Sequence, residues 1–247
     1  METHFAISLA PSHEVYMLWT AATLTFLVLF FGARSIRASS VATGRFANLV
    51  EAMVGFVREN IAEEFLGEHG QRWLGFFASL FFFLLFANLL GKLPIPGFES
   101  PTANINVTAA MAALVFVICQ VVGVYRLGPL GYFKRKFLLP GAPIILQIIM
   151  IPIMFLVLLA EPFSLTVRLF ANMTAGHMVL LTFATAQLVG GMWLLNYPNL
   201  LVKPAAALPF ALSVVLVAFE LFVAFIQAFI FTLLSALYLS ESLEEHH

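Results

Sequence analysis

Arg168 is the residue in this 247-residue chain whose position most demands a chemical reason. It stands inside a long apolar stretch with Leu165, Val167, Leu169 and Phe170 as neighbours, too far from either end to snorkel to an interface. An arginine near a bilayer centre costs roughly 2.5 to 3.5 kcal/mol on insertion scales, so an intramembrane charge is a functional residue by default. Glu161 and Asn172 lie at i−7 and i+4 from it, on one helical face, with Gly176 at i+8 and His177 beside that. A second apolar segment supplies Glu220 and Gln227, also seven apart and on one face. In an antiparallel hairpin, facing residues have nearly constant index sums; Arg168 with Gln227 gives 395 and His177 with Glu220 gives 397. The two polar sets are in register. Half of 395 puts the fold-back at Tyr197 and Pro198, where turn-forming residues independently lie.

These residue types in this order describe an interrupted proton path. His177 and Glu220 can relay protons on one side, Glu161 lies on the other, and the permanent charge of Arg168 between them blocks direct passage. A carboxylate carried by a partner would be drawn to Arg168, ionise there, and be reprotonated only after moving away. No such carrier is present in this chain. Polar glue between helices would account for Asn172 and Gln227, but not for an unneutralised arginine.

The elements that must position these residues follow from composition. Of all residues 62% are hydrophobic and only 10% charged, with 27 Phe, whereas soluble globules average about 25% charged. A soluble protein is excluded, and the recurring long apolar runs predict an all-α polytopic membrane protein. A transmembrane barrel would show alternating segments of about ten residues instead. One cysteine, Cys119, excludes an internal disulfide framework and CxxC sites. No basic stripe suggests nucleic acid, and neither a cofactor nor a metal is expected.

The pattern predicts a single membrane domain of about five membrane segments plus one amphipathic surface helix. A first span over 17–33 ends at Arg34 and Arg37, which places the N-terminus outside. Residues 45–67 carry Val50, Met53, Val57 and Ile61 at helical spacing, with Glu51, Arg58, Glu59, Glu63 and Glu64 between them. That amphipathic segment is too charged to span and is read flat on the cytoplasmic face, either against a protein neighbour or as a solvated surface helix. Spans over 73–91 and 105–125 follow, joined by an external loop rich in proline. The cluster Arg126, Lys134, Arg135 and Lys136 marks a cytoplasmic loop. Of twelve basic residues this arrangement puts nine inside, Lys92 and Lys203 outside, and Arg168 in the membrane, with a cytoplasmic C-terminus.

Residues 142–189 and 203–240 are each too long to stand upright in a core of about 30 Å, so they are expected as a hairpin of two steeply tilted helices. Breakage of the first at Pro152 or Pro162 into two spans is the other solution, but no polar turn interrupts it and an extra crossing would move the C-terminus outside.

At this point the residues resemble a family. The run from Glu161 through Arg168 and Asn172 to Gly176 and His177 is similar to the signature of subunit a of the F-type ATP synthase, and Glu220 with residues 226–231 is similar to its last helix. Further matches are Asn88 to Pro94, Thr102 to Thr108 and Tyr238 to Glu241. The resemblance implies a non-catalytic stator subunit of Fo that provides two offset proton half-channels to a rotating ring of c subunits. It implies that Arg168 faces the ring and separates the half-channels, that Asn172 and Gln227 line the same interface, and that His177 with Glu220 forms the outer pair. Asn104, Asn106 and Gly176 are candidate lining; many relatives carry Asp where this chain has Asn104. It also implies a bacterial plasma (inner) membrane location within the F1Fo complex, with b-type peripheral-stalk subunits docking near the amphipathic segment.

Two other classes fit less well. A proton-coupled secondary transporter, the runner-up, would want inverted repeats around a midplane site, and none is visible. A haem-bearing redox enzyme would want paired intramembrane histidines, and only His177 lies in a span. The register carries the first prediction. With Cys119 replaced, cysteine pairs at 168/227 and 177/220 should crosslink under mild oxidation while 168/220 should not, as read by gel mobility after proteolysis between the helices; the reverse pattern would disprove the hairpin register.

Overall fold

The computed structural model describes residues 13–38, 44–92, 100–138, 143–195 and 207–243. Among them there is no strand. Helices α1 (His13–Ala38), α2 (Arg45–Val57), α3 (Glu64–Leu66), α4 (Gly70–Leu90), α5 (Ile105–Phe137), α6 (Ile144–Leu195) and α7 (Ala207–Leu243) account for nearly all of it. Five helical stretches are long and apolar enough to cross a membrane: 14–34, 45–90, 105–134, 144–176 and 211–243. At 1.5 Å per residue α6 is about 78 Å long and α7 about 55 Å, so both must run obliquely through a bilayer. The helix continues through Pro152 and Pro162 without breaking into two spans. The expected fold-back at Tyr197 and Pro198 lies outside the described residues.

The core is built on α4. Phe77, Phe81, Phe82 and Leu84 are fully buried and meet Val115 and Cys119 of α5, Leu165 and Leu169 of α6, and Ala228 and Phe231 of α7. The amphipathic segment differs from a single surface helix. It runs as α2, a π-helical turn over Arg58–Glu63, and α3 before α4 begins. Its charged residues Glu51, Arg58, Glu59, Glu63 and Glu64 face out, while Val57 and Ile61 are fully buried in the same core. The ring of Phe56 near the end of α2 packs at a tilt against those of Phe81, Phe225 and Phe229, with centroids 5.2 to 6.4 Å apart. The chain's own α4 and α7 therefore cover much of the apolar stripe that the sequence would lay on lipid, and only Phe46 and Leu49 stay exposed.

Two junctions fix where the functional charges end up. The first follows α4, where Asn88 and Thr102 are both fully buried. The Asn88 amide donates to the Ala224 carbonyl of α7 at 3.4 Å and its Oδ1 accepts from the Thr102 hydroxyl at 3.0 Å. Ser100 completes the set, 2.7 Å from Thr102 and donating to the Ala87 carbonyl at 3.1 Å. Burial without partners would penalise each of these groups by about 1 to 3 kcal/mol. Satisfied together, they pin the end of α4 to α7. Gly91 lets the two chain segments touch, since a Cβ there would fall within 2.6 Å of Ser100 backbone atoms.

The second junction corrects the sequence reading of α5. The basic cluster expected as a cytoplasmic loop is helical to Phe137, interrupted by Gly128 at φ 70° before Pro129. Glycine takes that conformation without the Cβ penalty, and proline removes a helix hydrogen bond there; the pair reads as a loop in sequence and acts as a hinge in the fold. The last turns hook back so that Tyr132 is buried and its hydroxyl pairs with Gln120.

The first junction gives a second prediction. In the detergent-solubilised protein, Asn88→Leu and Thr102→Val should each lower the thermal unfolding midpoint, because each strands a buried partner at about 1 to 3 kcal/mol. The double variant should lose less than the two losses added, and full additivity would show that the groups do not act as one network.

Candidate functional site

Among the described residues two carboxylates are buried in the membrane-spanning part, and each is met by a lysine from outside its own helix. Glu220 of α7 is 6% exposed. Its Oε2 lies 3.0 Å from the Nζ of Lys92, which enters from the turn after α4. Among the described residues neither oxygen of Glu220 has a hydrogen-bond partner. Charge is what holds this pair. A cavity of about 180 Å³ opens beside it, lined by Lys92, Asn172, Met173, Gly176, Glu220 and Ala224 among others. Gly176 faces Glu220 across the hairpin, and a Cβ there would sit 2.5 Å from the Lys92 ammonium and 3.6 Å from the carboxylate. The index sum of that contact is 396, in the expected register. Lys92, expected on the outer side, is buried rather than solvated there: its side chain is only 5% exposed.

Glu161 of α6 is the second carboxylate, 8% exposed. The hook of α5 brings Lys136 Nζ to 3.8 Å from its Oε1. The same ammonium donates to the Tyr132 hydroxyl at 3.4 Å and lies 5.8 Å from the centre of that ring. Tyr238 and Glu241 from the end of α7 come within Coulombic reach of Glu161. A second cavity of about 140 Å³, lined by Leu127, Tyr132, Lys136, Glu241 and Ser242, lies at this end.

Arg168 sits between the two clusters and differs from both. Along α6 it is seven residues past Glu161 and eight before Gly176, which places the clusters about 22 Å apart with Arg168 midway. The buried stripe of α6 is Leu165, Leu169 and Met173, repeating every four residues toward Ala224, Ala228 and Phe231 of α7. Arg168 lies at the rim of that stripe and is exposed. Around it part of the apolar surface is bare: Phe163 is 69% and Val167 39% exposed. Glu161 shares the stripe of Arg168 but is covered by the α5 hook, which does not extend so far.

The other expected residues divide. Asn172 is half-buried and lines the Glu220 cavity, as Gly176 does. Gln227 is 5% exposed, and its Nε2 has no hydrogen-bond partner among the described residues. His177 lies in α6, but its side chain is outside what the structure describes. Asn104 is brought elsewhere: its side chain caps α5 by accepting from the Asn106 amide at 2.9 Å and donates to Glu14 at 3.4 Å. Asn106 is exposed beside an apolar groove that includes Trp19 and Leu114. Neither lines the Glu220 cavity. The two lysines were missed because each lies beyond a helix end in sequence and returns only through a junction; the signal for Lys92 was an unpaired cation one residue after Gly91 in an otherwise apolar stretch. Among the described residues no cluster of three or more His, Cys, Asp or Glu could hold a metal ion.

Comparison with known proteins agrees over nearly the whole chain. The profile of the family described as ATP synthase A chain matches residues 15–240. ATP synthase subunit a of Myxococcus xanthus is 39% identical over 98% of this chain and 75% of its own length. That of Granulibacter bethesdensis is 37% identical over 97% of this chain and 90% of its own. The subunit a of Anaeromyxobacter sp. Fw109-5 is 40% identical over 98% of this chain, which spans 56% of that longer protein.

Proposed function

The chain belongs to the ATP synthase A chain family, a multi-pass bacterial inner-membrane subunit of Fo that works against the c-ring and is not itself catalytic, and on that premise we propose that Arg168 divides two offset proton half-channels. The observation that carries this reading is an exposed arginine on a bare apolar face, midway between two buried carboxylates. An apolar face of this extent with one fixed charge suits a partner that presents its own carboxylate within a membrane.

The outer half-channel runs past Lys92, Glu220, Gly176 and Asn172, with His177 beside them in sequence; the inner one runs past Lys136, Tyr132, Glu241 and Glu161. A protonated carboxyl on the ring leaves its proton to one side, is ionised opposite Arg168, and takes a proton from the other side after moving on. Arg168 performs this because a guanidinium stays charged in any protein environment, which a lysine does not. Gln227 and Asn172 flank that contact as neutral donors and acceptors. The b-type stalk subunits are assigned to the amphipathic segment, whose outward face carries Glu51, Glu59, Glu63 and Glu64. The N-terminus is assigned outside and the C-terminus to the cytoplasm, from the excess of basic residues on one side.

Arg168→Ala or Arg168→Gln should abolish ATP-driven proton pumping by inverted membranes while the complex still assembles, and Arg168→Lys should not restore it; normal coupled pumping by Arg168→Ala would end this reading. Glu220→Ala should lower both ATP synthesis and ATP-driven pumping, Glu220→Asp should keep part of each, and Glu161→Ala should be milder. None should make membranes passively leaky to protons. Sidedness gives a separate measurement: a cysteine at 177 or 220 should react with impermeant thiol reagents from outside and one at 161 from the cytoplasm, and the opposite result would invert the topology.

A further inference from the structure

We propose that Lys92 is a positioning residue of the outer proton path, the fixed counter-ion that holds Glu220 against Gly176 and must be displaced each time that carboxylate takes a proton. The inference rests on the half-channel reading of Glu220 and adds a residue to it.

Three observations carry it. The ammonium is 3.0 Å from the carboxylate with both side chains under a tenth exposed. Among the described residues no hydrogen bond to either carboxylate oxygen competes with that attraction. The glycine opposite lets the ammonium approach, since a Cβ at position 176 would stand 2.5 Å from it. The backbone that delivers Lys92 is also fixed, because Asn88 and Thr102 tie the preceding turn to Ala224, four residues after Glu220 on α7.

Taking two charges out of water is expensive, and a buried pair holds only while both members are present. Protonation of Glu220 converts it to a neutral acid and leaves the ammonium without its partner, so each proton taken up opens the pair and each proton passed on closes it. The cavity of about 180 Å³ beside the pair is the space into which the ammonium can swing. Arginine, with a permanent charge, should therefore replace Lys92, while an uncharged chain of the same length should not.

The test is passive proton conduction through Fo in membrane vesicles from which the F1 head has been stripped, with assembly checked by co-isolation of the c-ring. Lys92→Met should slow conduction by about tenfold, the scale of losing one contact to a charged group, and Lys92→Arg should keep more than half. Lys92→Met combined with Glu220→Gln should be no slower than Glu220→Gln alone, because Lys92 acts only through that carboxylate. Conduction by Lys92→Met at the unsubstituted rate, multiplicative loss in the double variant, or failure of Lys92→Arg would each overturn the proposal. If Lys92→Met does not assemble, Gly176→Ala decides it: the added methyl displaces the ammonium without removing it, so slowed conduction supports the role and an unchanged rate refutes it. Glu220→Gln alone separates the two levels, since unimpaired conduction there would refute the half-channel reading itself.

Discussion

Everything in this fold is arranged around the expense of a charge in a low-dielectric interior. A carboxylate taken from water into the membrane core loses solvation worth several kcal/mol even after relaxation, and an ion pair recovers this only if the partner is close and held there. Glu220 and Glu161 meet that condition in the same way. Each projects from one of the two long hairpin helices and is neutralised by a lysine delivered from an earlier helix that has ended and turned back. The hairpin supplies the acids; the preceding bundle supplies the bases. Neither half could bury its charges alone.

The precision of that delivery depends on uncharged packing. Lys92 follows a helix whose last turn is locked by Asn88, Thr102 and Ser100, all buried and hydrogen-bonded. Lys136 reaches Glu161 only because Gly128 adopts a left-handed conformation and Pro129 interrupts the helix, turning a basic tail back on its own stem. The aromatic cluster around Phe56, Phe81, Phe225 and Phe229 then ties the amphipathic segment to α4 and α7. Aromatic pairs at such distances add about 0.5 to 1.5 kcal/mol each beyond area burial. In lipid, where helices gain little by hiding apolar surface from one another, such packing and buried polar contacts are what set helix positions.

The hairpin half of the site could be read from the sequence, because both of its periodicities are local. A seven-residue repeat of polar groups on each of two helices, and a nearly constant index sum between them, describe facing stripes without any knowledge of the rest; the Gly176 to Glu220 contact falls on that sum. The lysines could not be read in the same way. Lys92 is 128 positions from Glu220, and its side chain points inward because of hydrogen bonds between residues that carry no charge and show no periodicity. One helix end misleads: the basic stretch after Tyr125 is expected as a loop and instead continues as helix past a hinge at Gly128 and Pro129, whereas α6 runs on through Pro152 and Pro162 as its length and lack of a polar turn predict. The exposure of Arg168 was likewise hidden, since sequence gives the face a residue occupies but not which neighbour stops short of covering it.

That uncovered arginine is the strongest reason to regard the chain as half of a mechanism. The fold demonstrably has the means to neutralise a buried ion and uses them twice, within about 12 Å of Arg168 on either side along α6. At Arg168 it provides an exposed rim beside the exposed side chains of Phe163 and Val167 instead. On the proposed reading the missing counter-charge arrives with each ring carboxylate, so Arg168 is neutral as a pair only transiently. A proton crossing a potential of 100 mV releases about 2.3 kcal/mol, and that energy can drive rotation only if the outer and inner paths never connect through the stator. A counter-ion supplied from within this chain would satisfy Arg168 permanently and remove its pull on the ring. On that reading, an Arg168 with no counter-ion among the described residues makes the single chain less comfortable in the membrane and lets the complex work.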